Sequence, residues 1–386
     1  MGYPRCVDGL WMRSNVSDGK ERIAAVVVTY NRKDLLGQCL DSLLRQSYPL
    51  DALYVIDNCS TDGTQDYVLG WGGAPGAKDA VDSVDRVDGA GPAGRRRRPL
   101  GPHRPPAAAP TGLVPRAEIS DEKPSETVRP IPLPSSADRR LEVHYVRMPQ
   151  NTGGAGGFHE GMKRAVDAGF DWLWLMDDDL LTSPDALEVL VQKKKALESS
   201  RDRSFILNSL VLARDQPDSD RLPFPLQELA ANGQPRRGIY HWRLSEVQSQ
   251  IKDGLYRWAC PFNGTFVPAR AVAQVGLPNK DFFIRGDEKD FLWRLARRFD
   301  MYTAVDSKVF HPVPRDAGFD GKQYYSIRNM IVVNRHFDLT TLRNLRLILL
   351  SLARGLRHGT SGLTLVLRAV KDGLTGHLGR RDDLPS

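Results

Sequence analysis

Three adjacent carboxylates, Asp177, Asp178 and Asp179, follow directly on the apolar run Trp172–Met176. Neighbouring like charges repel, so such a triplet needs a cation or hydrogen-bond donors. Asp177 and Asp179 can share one face of the turn and hold a hard divalent ion, whose open positions suit phosphate oxygens. A solvated loop, or a helix cap ahead of Ser183-Pro184, would also use acids here. The place at the end of an apolar run favours the metal. His311, in Val309-Phe310-His311-Pro312, follows another short strand and beside this D-x-D pattern becomes a third ligand.

Three more clusters could do chemistry. Asp57 ends the apolar stretch Ala52–Ile56 and can accept from a ribose hydroxyl or a base N–H, while Ser60–Thr64 reads as a turn capping the next helix. The loop Asn151–Gly157 is rich in glycine and opens a helix, so it offers close backbone approach and N–H groups to an anion. No Gly-Lys-Ser/Thr follows it and the G-x-G-x-x-G spacing is absent, so it is neither a P-loop nor a dinucleotide fingerprint. The segment Phe282–Glu288 sets Asp287 and Glu288 ahead of an amphipathic stretch, Asp290–Arg298. An acid there can deprotonate a hydroxyl, or simply start the helix.

The elements that must position these groups alternate between strand and helix. Ile23–Thr29 is a β-rich apolar run, Asp34–Gln46 carries a helical leucine stripe, and Ala52–Ile56 is a second strand. Leu141–Arg147 is a third, a helix follows over Gly156–Ala168, and Trp172–Met176 is a fourth. This α/β alternation predicts a parallel sheet with helices on both faces and ligands beyond the carboxyl ends of the strands.

Composition sets the outer bounds. The chain has 386 residues, 41% hydrophobic and 26% charged, with a net charge of +7. That excludes collagen-like, disulfide-scaffold and wholly disordered classes. Residues 321–386 hold 11 Lys/Arg against 4 Asp/Glu, and residues 73–140 hold 12 against 9, so the remainder carries −3. An excess located in a tail and an insert argues against nucleic-acid binding, which wants a basic stripe on a folded face. Residues 73–140 lack Phe, Trp and Tyr and hold twelve of the 26 prolines and the run Arg95–Arg98, so a disordered insert is expected. The four cysteines are scattered, which fits a reducing cytosol rather than a disulfide framework or a zinc site. Met1–Lys20 has no apolar core of signal-peptide type, and no apolar run approaches the ~18 residues of a membrane span.

Together these segments resemble inverting, GT-A type glycosyltransferases of family 2. The likeness is carried by Val26–Arg32, the Asp57-Asn58 strand end, Asn151–Gly157 and Asp177–Asp179. Phe262-Asn263-Gly264, Ala273–Pro278, Phe283–Glu288, Phe310-His311-Pro312 and Arg328-Asn329 are similar to the galactofuranosyltransferase branch that builds actinobacterial cell-wall galactan. The resemblance implies a Rossmann-like GT-A fold over residues 21–320 with a C-terminal helical extension, 321–386. It implies Mg2+ or Mn2+ on Asp177, Asp179 and His311. It implies a nucleotide-sugar site formed by Thr29, Asn31, Arg32, Asp57, Asn151, Gly153, Gly154 and Asp178, with Asp57 on the uridine. Glu288, or else its neighbour Asp287, would be the base that activates the acceptor hydroxyl, with Glu288 the better match. The donor would be UDP-galactofuranose and the acceptor a polyprenyl-linked glycan. A rhamnosyltransferase using dTDP-rhamnose, a phosphatase with an Asp-x-Asp nucleophile and a non-catalytic nucleotide-binding module are the alternatives. The phosphatase usually wants Thr or Val where Leu181 stands.

The tail completes the reading. Leu342, Leu345, Leu349, Leu352 and Leu356 recur at helical spacing with Arg343, Arg346, Arg354 and Arg357 between them. A basic amphipathic helix of this kind lies at an anionic membrane surface, or packs on the catalytic domain. With a lipid-linked acceptor, a cytoplasmic protein held at the inner face of the membrane is expected.

Overall fold

The computed structural model describes residues 20–72, 122–134, 136–200, 204–216, 219–229, 235–258, 262–314 and 319–384. The N-terminal tail, most of the expected insert including Arg95–Arg98, and Cys6 and Cys260 lie outside them.

The strands are β1 (Ile23–Thr29), β2 (Ala52–Asp57), β3 (Ser125–Leu133), β4 (Ser136–Arg147), β5 (Trp172–Asp177), β6 (Leu181–Thr182), β7 (Phe205–Ala213), β8 (Arg221–Leu229), β9 (Pro235–Arg243), β10 (Leu255–Tyr256), β11 (Thr265–Pro268) and β12 (Asp300–His311). The helices are α1 (Lys33–Leu44), α2 (Thr64–Gly70), α3 (Gly153–Asp167), α4 (Ala186–Ser200), α5 (Ala269–Val275), α6 (Asp287–Ala296), α7 (Gly321–Val333), α8 (Thr340–Arg357) and α9 (Gly359–Thr375). All but β8 and β9 join one sheet, ordered β10-β12-β7-β11-β5-β1-β2-β4-β3 with β6 on β12; β8 and β9 form a separate hairpin.

Strands β4, β2, β1 and β5 run parallel, and β11 reverses direction between β5 and β7. Every residue of β1 and β7 is buried, as a sheet covered on both faces requires. Alternation sorts the side chains into two cores. Ala24, Val26 and Val28 join the cluster beneath α3, and Ala25 and Val27 join the one beneath α1 and α4. Helix α3 lies close because Gly161 has no side chain; a Cβ there would press to 2.5 Å from Val26 and 2.8 Å from Ile56.

Register fixes the functional edge. Thr29 pairs with Asp57, Asp57 with Arg147, and Val28 with Asp177. The carboxyl ends of β1, β2, β4 and β5 therefore lie in one row. Strand β12 runs parallel to β7 and, through the two antiparallel steps of β11, parallel to β5, so His311 ends at the same edge. The order reverses at β1, whose neighbours are β2 and β5, and in open α/β sheets ligands bind at such a point.

One boundary expected from sequence is corrected. Residues 125–133 and 136–140, assigned above to the insert, form β3 and the start of β4. Strand β3 pairs antiparallel with β4 at the sheet edge. Pro130 and Pro132 share one parity, so the N–H groups they lack fall on one side of the strand, where an edge strand tolerates their loss. Ile131 and Leu133 are buried between and beyond them. Proline content averaged over a long window hid this alternation.

The C-terminal helices build their own small core from Tyr324, Tyr325, Ile327, Ile331, Val366 and Ala369. Leu342, Leu345, Leu349, Leu350 and Leu356 of α8 stay 49–62% exposed. Among the described residues no helix is long and apolar enough to cross a membrane.

The α3 contact gives a direct check. Gly161→Val should destabilise the protein by about 1–3 kcal/mol through overpacking against β1 and β2, read as a lower urea midpoint at unchanged slope.

Candidate functional site

The end of β5 throws its three carboxylates to different partners. Strand β5 ends at Asp177, and in the turn that follows Asp179 comes back beside Asp177 while Asp178 points inward. Asp178 is buried; it accepts from Thr29 Oγ1 at 2.7 Å and from Arg32 Nη1 at 3.1 Å. Asp179 also accepts from Arg32 Nη1, at 2.9 Å. Its other oxygen, Oδ1, lies 3.1 Å from His311 Nε2. That oxygen is buried and lacks a well-angled hydrogen-bond partner.

The imidazole of His311 is oriented from behind. Its Nδ1 lies 2.5 Å from the Pro312 carbonyl and its ring packs edge-on against Phe224, centroids 4.9 Å apart. This leaves Nε2 turned to the carboxylates. Asp177 is braced by Asn263, whose Oδ1 accepts from the Asp177 amide at 3.3 Å. Ligand atoms of Asp177, Asp179 and His311 all fall within 4.8 Å of one another.

The charges here are not balanced by the chain. Burial, with Asp179 adding to it, pushes Asp177 up to about 6, and burial pushes Asp178 up to about 7 despite Arg32 and Thr29. Burial would also raise Asp179, but the hydrogen bond and charge of His311, with Arg32, hold it below the usual carboxylate range. Burial would lower His311, and its bond to Asp179 raises it instead. Two carboxylates and an imidazole whose ligand atoms gather within 4.8 Å of one another fit a divalent cation of the Mg2+ or Mn2+ type.

The second acidic group sits at the start of α6. Gly286 caps that helix in the left-handed region, φ +91°, and two non-glycine residues before it are left-handed too, Phe283 at +66° and Arg285 at +64°. Such residues cost on the order of 1–3 kcal/mol each and persist only where the surroundings hold them. Glu288 is half-buried and accepts from the Gly286 amide at 2.8 Å. Asp287 is buried. Desolvation first, then the charge of Glu288 and a hydrogen bond with it, push Asp287 well above the usual range, and Asp177 adds to the effect. The two acidic centres therefore feel each other's charge.

The glycine-rich loop meets this acidic turn. Gly153 is left-handed, and a Cβ on it would collide with the Phe283 carbonyl. The same carbonyl accepts from the Ala155 amide at 3.0 Å. Asn151 Oδ1 takes the Gly153 amide at 2.8 Å, so two of the first α3 amides are spent inside the protein, while Gly154 faces open space. Asn58 ties the loop to β2, donating to the Gly153 carbonyl at 3.1 Å and accepting from Thr152 Oγ1 at 2.8 Å.

Asp57 is fully buried with both oxygens engaged. It accepts from the Ser60 amide at 2.8 Å, Tyr145 Oη at 2.5 Å and Arg147 Nη1 at 3.1 Å. Asn31 bridges the loops after β1 and β2: its amide donates to Ser60 Oγ at 2.9 Å and its Oδ1 accepts from the Thr61 amide at 2.7 Å. Asn31 and Asn151 thus shape loops, and Thr29, Arg32 and Asp178 form one hydrogen-bonded unit. Sequence reasoning missed Asn263, Asn58, Tyr145 and Arg147 as supports of the site. Their partners lie far away in the chain, and only their places beside motif residues could have marked them.

Residues 24–75 and 131–241 match the model of the family described as glycosyl transferase family 2. The chain carries a glycosyltransferase family 2 domain over those two segments. The mixed sheet with its helical C-terminal region is the GT-A fold expected of such an enzyme. Galactofuranosyltransferase GlfT1 of Mycolicibacterium smegmatis is 27% identical over 303 residues, 77% of this chain and 72% of that one. Galactofuranosyltransferase GlfT1 of Mycobacterium tuberculosis is 32% identical over 183 residues, 47% of this chain; the match spans about half, 55%, of that relative's length. Among solved structures, mannosyltransferase PcManGT from Pyrobaculum calidifontis in complex with GDP-Man and Mn2+ overlays with a TM-score of 0.45 at 14% identity, covering 92% of this chain and 75% of that one. S. aureus TarS residues 1–349 in complex with UDP-GlcNAc gives 0.49 at 11% identity, covering 92% and 81%.

The glycosyltransferase site yields a metal test. Asp179→Asn keeps the shape but removes the charge that faces His311. Mn2+ affinity measured calorimetrically in the presence of UDP should fall by about 100-fold or more.

Proposed function

We propose that this glycosyltransferase moves galactofuranose from UDP-galactofuranose to a lipid-linked glycan in cell-wall polysaccharide synthesis, inverting the anomeric centre. The observation that carries the donor is the likeness to galactofuranosyltransferases of two mycobacteria, one of them matched over 72% of its length. The geometry that supports the reaction is the pair of acidic centres, one at the end of β5 and one at the start of α6.

Asp177, Asp179 and His311 would hold Mg2+ or Mn2+. When bound, such an ion neutralises charge that builds on the departing diphosphate. Asp178, locked by Thr29 and Arg32, sets the turn that aims Asp177 and Asp179. Asp57, expected from sequence to touch the uridine, is buried with both oxygens taken by Ser60, Tyr145 and Arg147, so it would shape the uridine end of the site from beneath rather than contact it. Asn31 and Asn151 shape the loops around the diphosphate, and Gly153 and Gly154 let that loop come close.

Glu288 is the base. It is half-buried and so within reach of an acceptor, whereas Asp287 is buried and pushed by that burial well above the usual carboxylate range. The acceptor hydroxyl gives its proton to Glu288 as its oxygen bonds to the anomeric carbon. The bond from that carbon to the UDP oxygen breaks, and UDP leaves with the electron pair. Attack from the face opposite UDP inverts the centre through an oxocarbenium-like transition state.

The acceptor side rests on α8. Its exposed leucines form one stripe, flanked by Arg346 and Arg357, and the helix carries no Asp or Glu. Such a face suits an anionic lipid surface, and the enzyme would work as a peripheral protein of the cytoplasmic leaflet.

Two outcomes follow. In a panel of nucleotide sugars with a synthetic lipid-linked disaccharide, transfer is expected from UDP-galactofuranose; turnover with dTDP-rhamnose alone would replace the donor. In flotation with phosphatidylglycerol vesicles the full chain should float, and Leu345→Asp/Leu349→Asp should stay at the bottom while keeping its thermal midpoint. Equal flotation of both would remove α8 from the membrane reading.

A further inference from the structure

We propose that Asn329, oriented by Arg328, is a positioning residue for the acids at the start of α6, and that it links them to the C-terminal helices. The inference rests on the reading of Glu288 as the base. Both Asn329 and Arg328 are completely buried on α7. Asn329 Nδ2 lies 3.0 Å from the Phe282 carbonyl, 2.9 Å from that of Ile284 and 2.6 Å from that of Arg285. One amide group thus gathers three carbonyls of the short segment in which Phe283, Arg285 and Gly286 are left-handed. An extended or helical segment cannot aim so many carbonyls at one point. The amide therefore selects the strained path that places Asp287 and Glu288 at the start of α6.

Arg328 sets the direction of that amide. Its Nε donates to Asn329 Oδ1 at 2.8 Å, which leaves Nδ2 as the group facing the loop. Its Nη2 donates to the Phe282 carbonyl at 3.0 Å and its Nη1 to the Gly379 carbonyl at 2.6 Å. The guanidinium stacks on Tyr325, 4.9 Å from the ring centre. These hydrogen bonds of a buried cation all go to neutral oxygens, an expensive use of charge for stability alone. Gly379 returns the tie, its amide donating to the Asp281 carbonyl at 2.6 Å. The segment after α9 therefore closes over the acidic turn through Arg328.

The test compares Asn329→Ala, Glu288→Gln and the double variant with the donor that the wild-type enzyme turns over. For Asn329→Ala, kcat should fall about 100-fold, the loss expected from a misplaced catalytic group. Its KM for donor and its Mn2+–UDP affinity should stay within about twofold, because the metal centre is untouched. The double variant should be no slower than Glu288→Gln, since both changes act through one carboxylate. A folded Asn329→Ala with normal kcat, beside an inactive Glu288→Gln, overturns the clamp and leaves the base standing. A fully active Glu288→Gln overturns the base, and the clamp is then judged in the same way against Asp287→Asn. If Asn329→Ala does not fold, Asn329→Ser, which keeps one donor, is read by the same split. Failure of both to fold, or a loss that adds to that of Glu288→Gln, assigns Asn329 to stability and overturns the proposal.

Discussion

Crowding of carboxylates at one edge of a buried sheet is the constraint to which the rest of this molecule answers. Parallel pairing of β1, β2, β4 and β5 brings Asp57 and Asp177 into one row, and the turn after β5 adds two more acids. Each is compensated differently. Asp57 is satisfied by Ser60, Tyr145 and Arg147. Asp178 is held by Thr29 and Arg32, and Asp179 by Arg32 and His311. Asp177 and Asp287 have no hydrogen-bonded cation of their own, and burial lifts both of them as it lifts Asp178. The positive charge still missing is thereby localised between Asp177, Asp179 and His311. On the proposed reading that is where the nucleotide diphosphate would be met.

The second requirement is that two independent loops keep a fixed spacing. The glycine-rich start of α3 and the acidic start of α6 touch through the Phe283 carbonyl, where only glycine fits. The far side of the acidic loop is gripped from α7. Three left-handed residues in four positions are sustainable because both sides are occupied. Strain, close approach and buried amide donors therefore form one arrangement.

Much of this was legible in the sequence. Parallel strands buried on both faces read as unbroken apolar runs, so β1, β2 and β5 were found nearly to the residue. Asp177, Asp179 and His311 were joined through chemistry alone, and the fold brings them together. What stayed hidden was of another kind. Asp178 looks like its neighbours in composition, and only the turn after β5 points it inward. Asn31 and Asn151 look like ligands for a nucleotide, yet their side chains close loops. Strand β3 was lost in a proline-rich window because edge strands stabilise themselves by backbone pairing and need few large side chains. Arg147, Asn263 and Asn329 act on partners 44 to 90 positions away, and no local pattern reports such pairs.

The net charge of +7 takes on meaning only against this geometry. The described body around the carboxyl edge of the sheet concentrates acids, while α8 carries four arginines and no acid, with its leucines outward. Helices α7, α8 and α9 share one small core, and α7 also holds the acidic loop through Asn329. On the membrane reading, the surface that meets lipid and the residues that fix the base are then parts of a single packed unit. An acceptor anchored in the bilayer approaches a base whose position is set by the same helices that rest on that bilayer. Coupling of this kind needs no moving part, because packed helices are rigid on the scale of the site. It also accounts for a buried arginine spent on the carbonyls of the acidic turn and of the segment after α9, which an isolated catalytic domain would have little reason to keep.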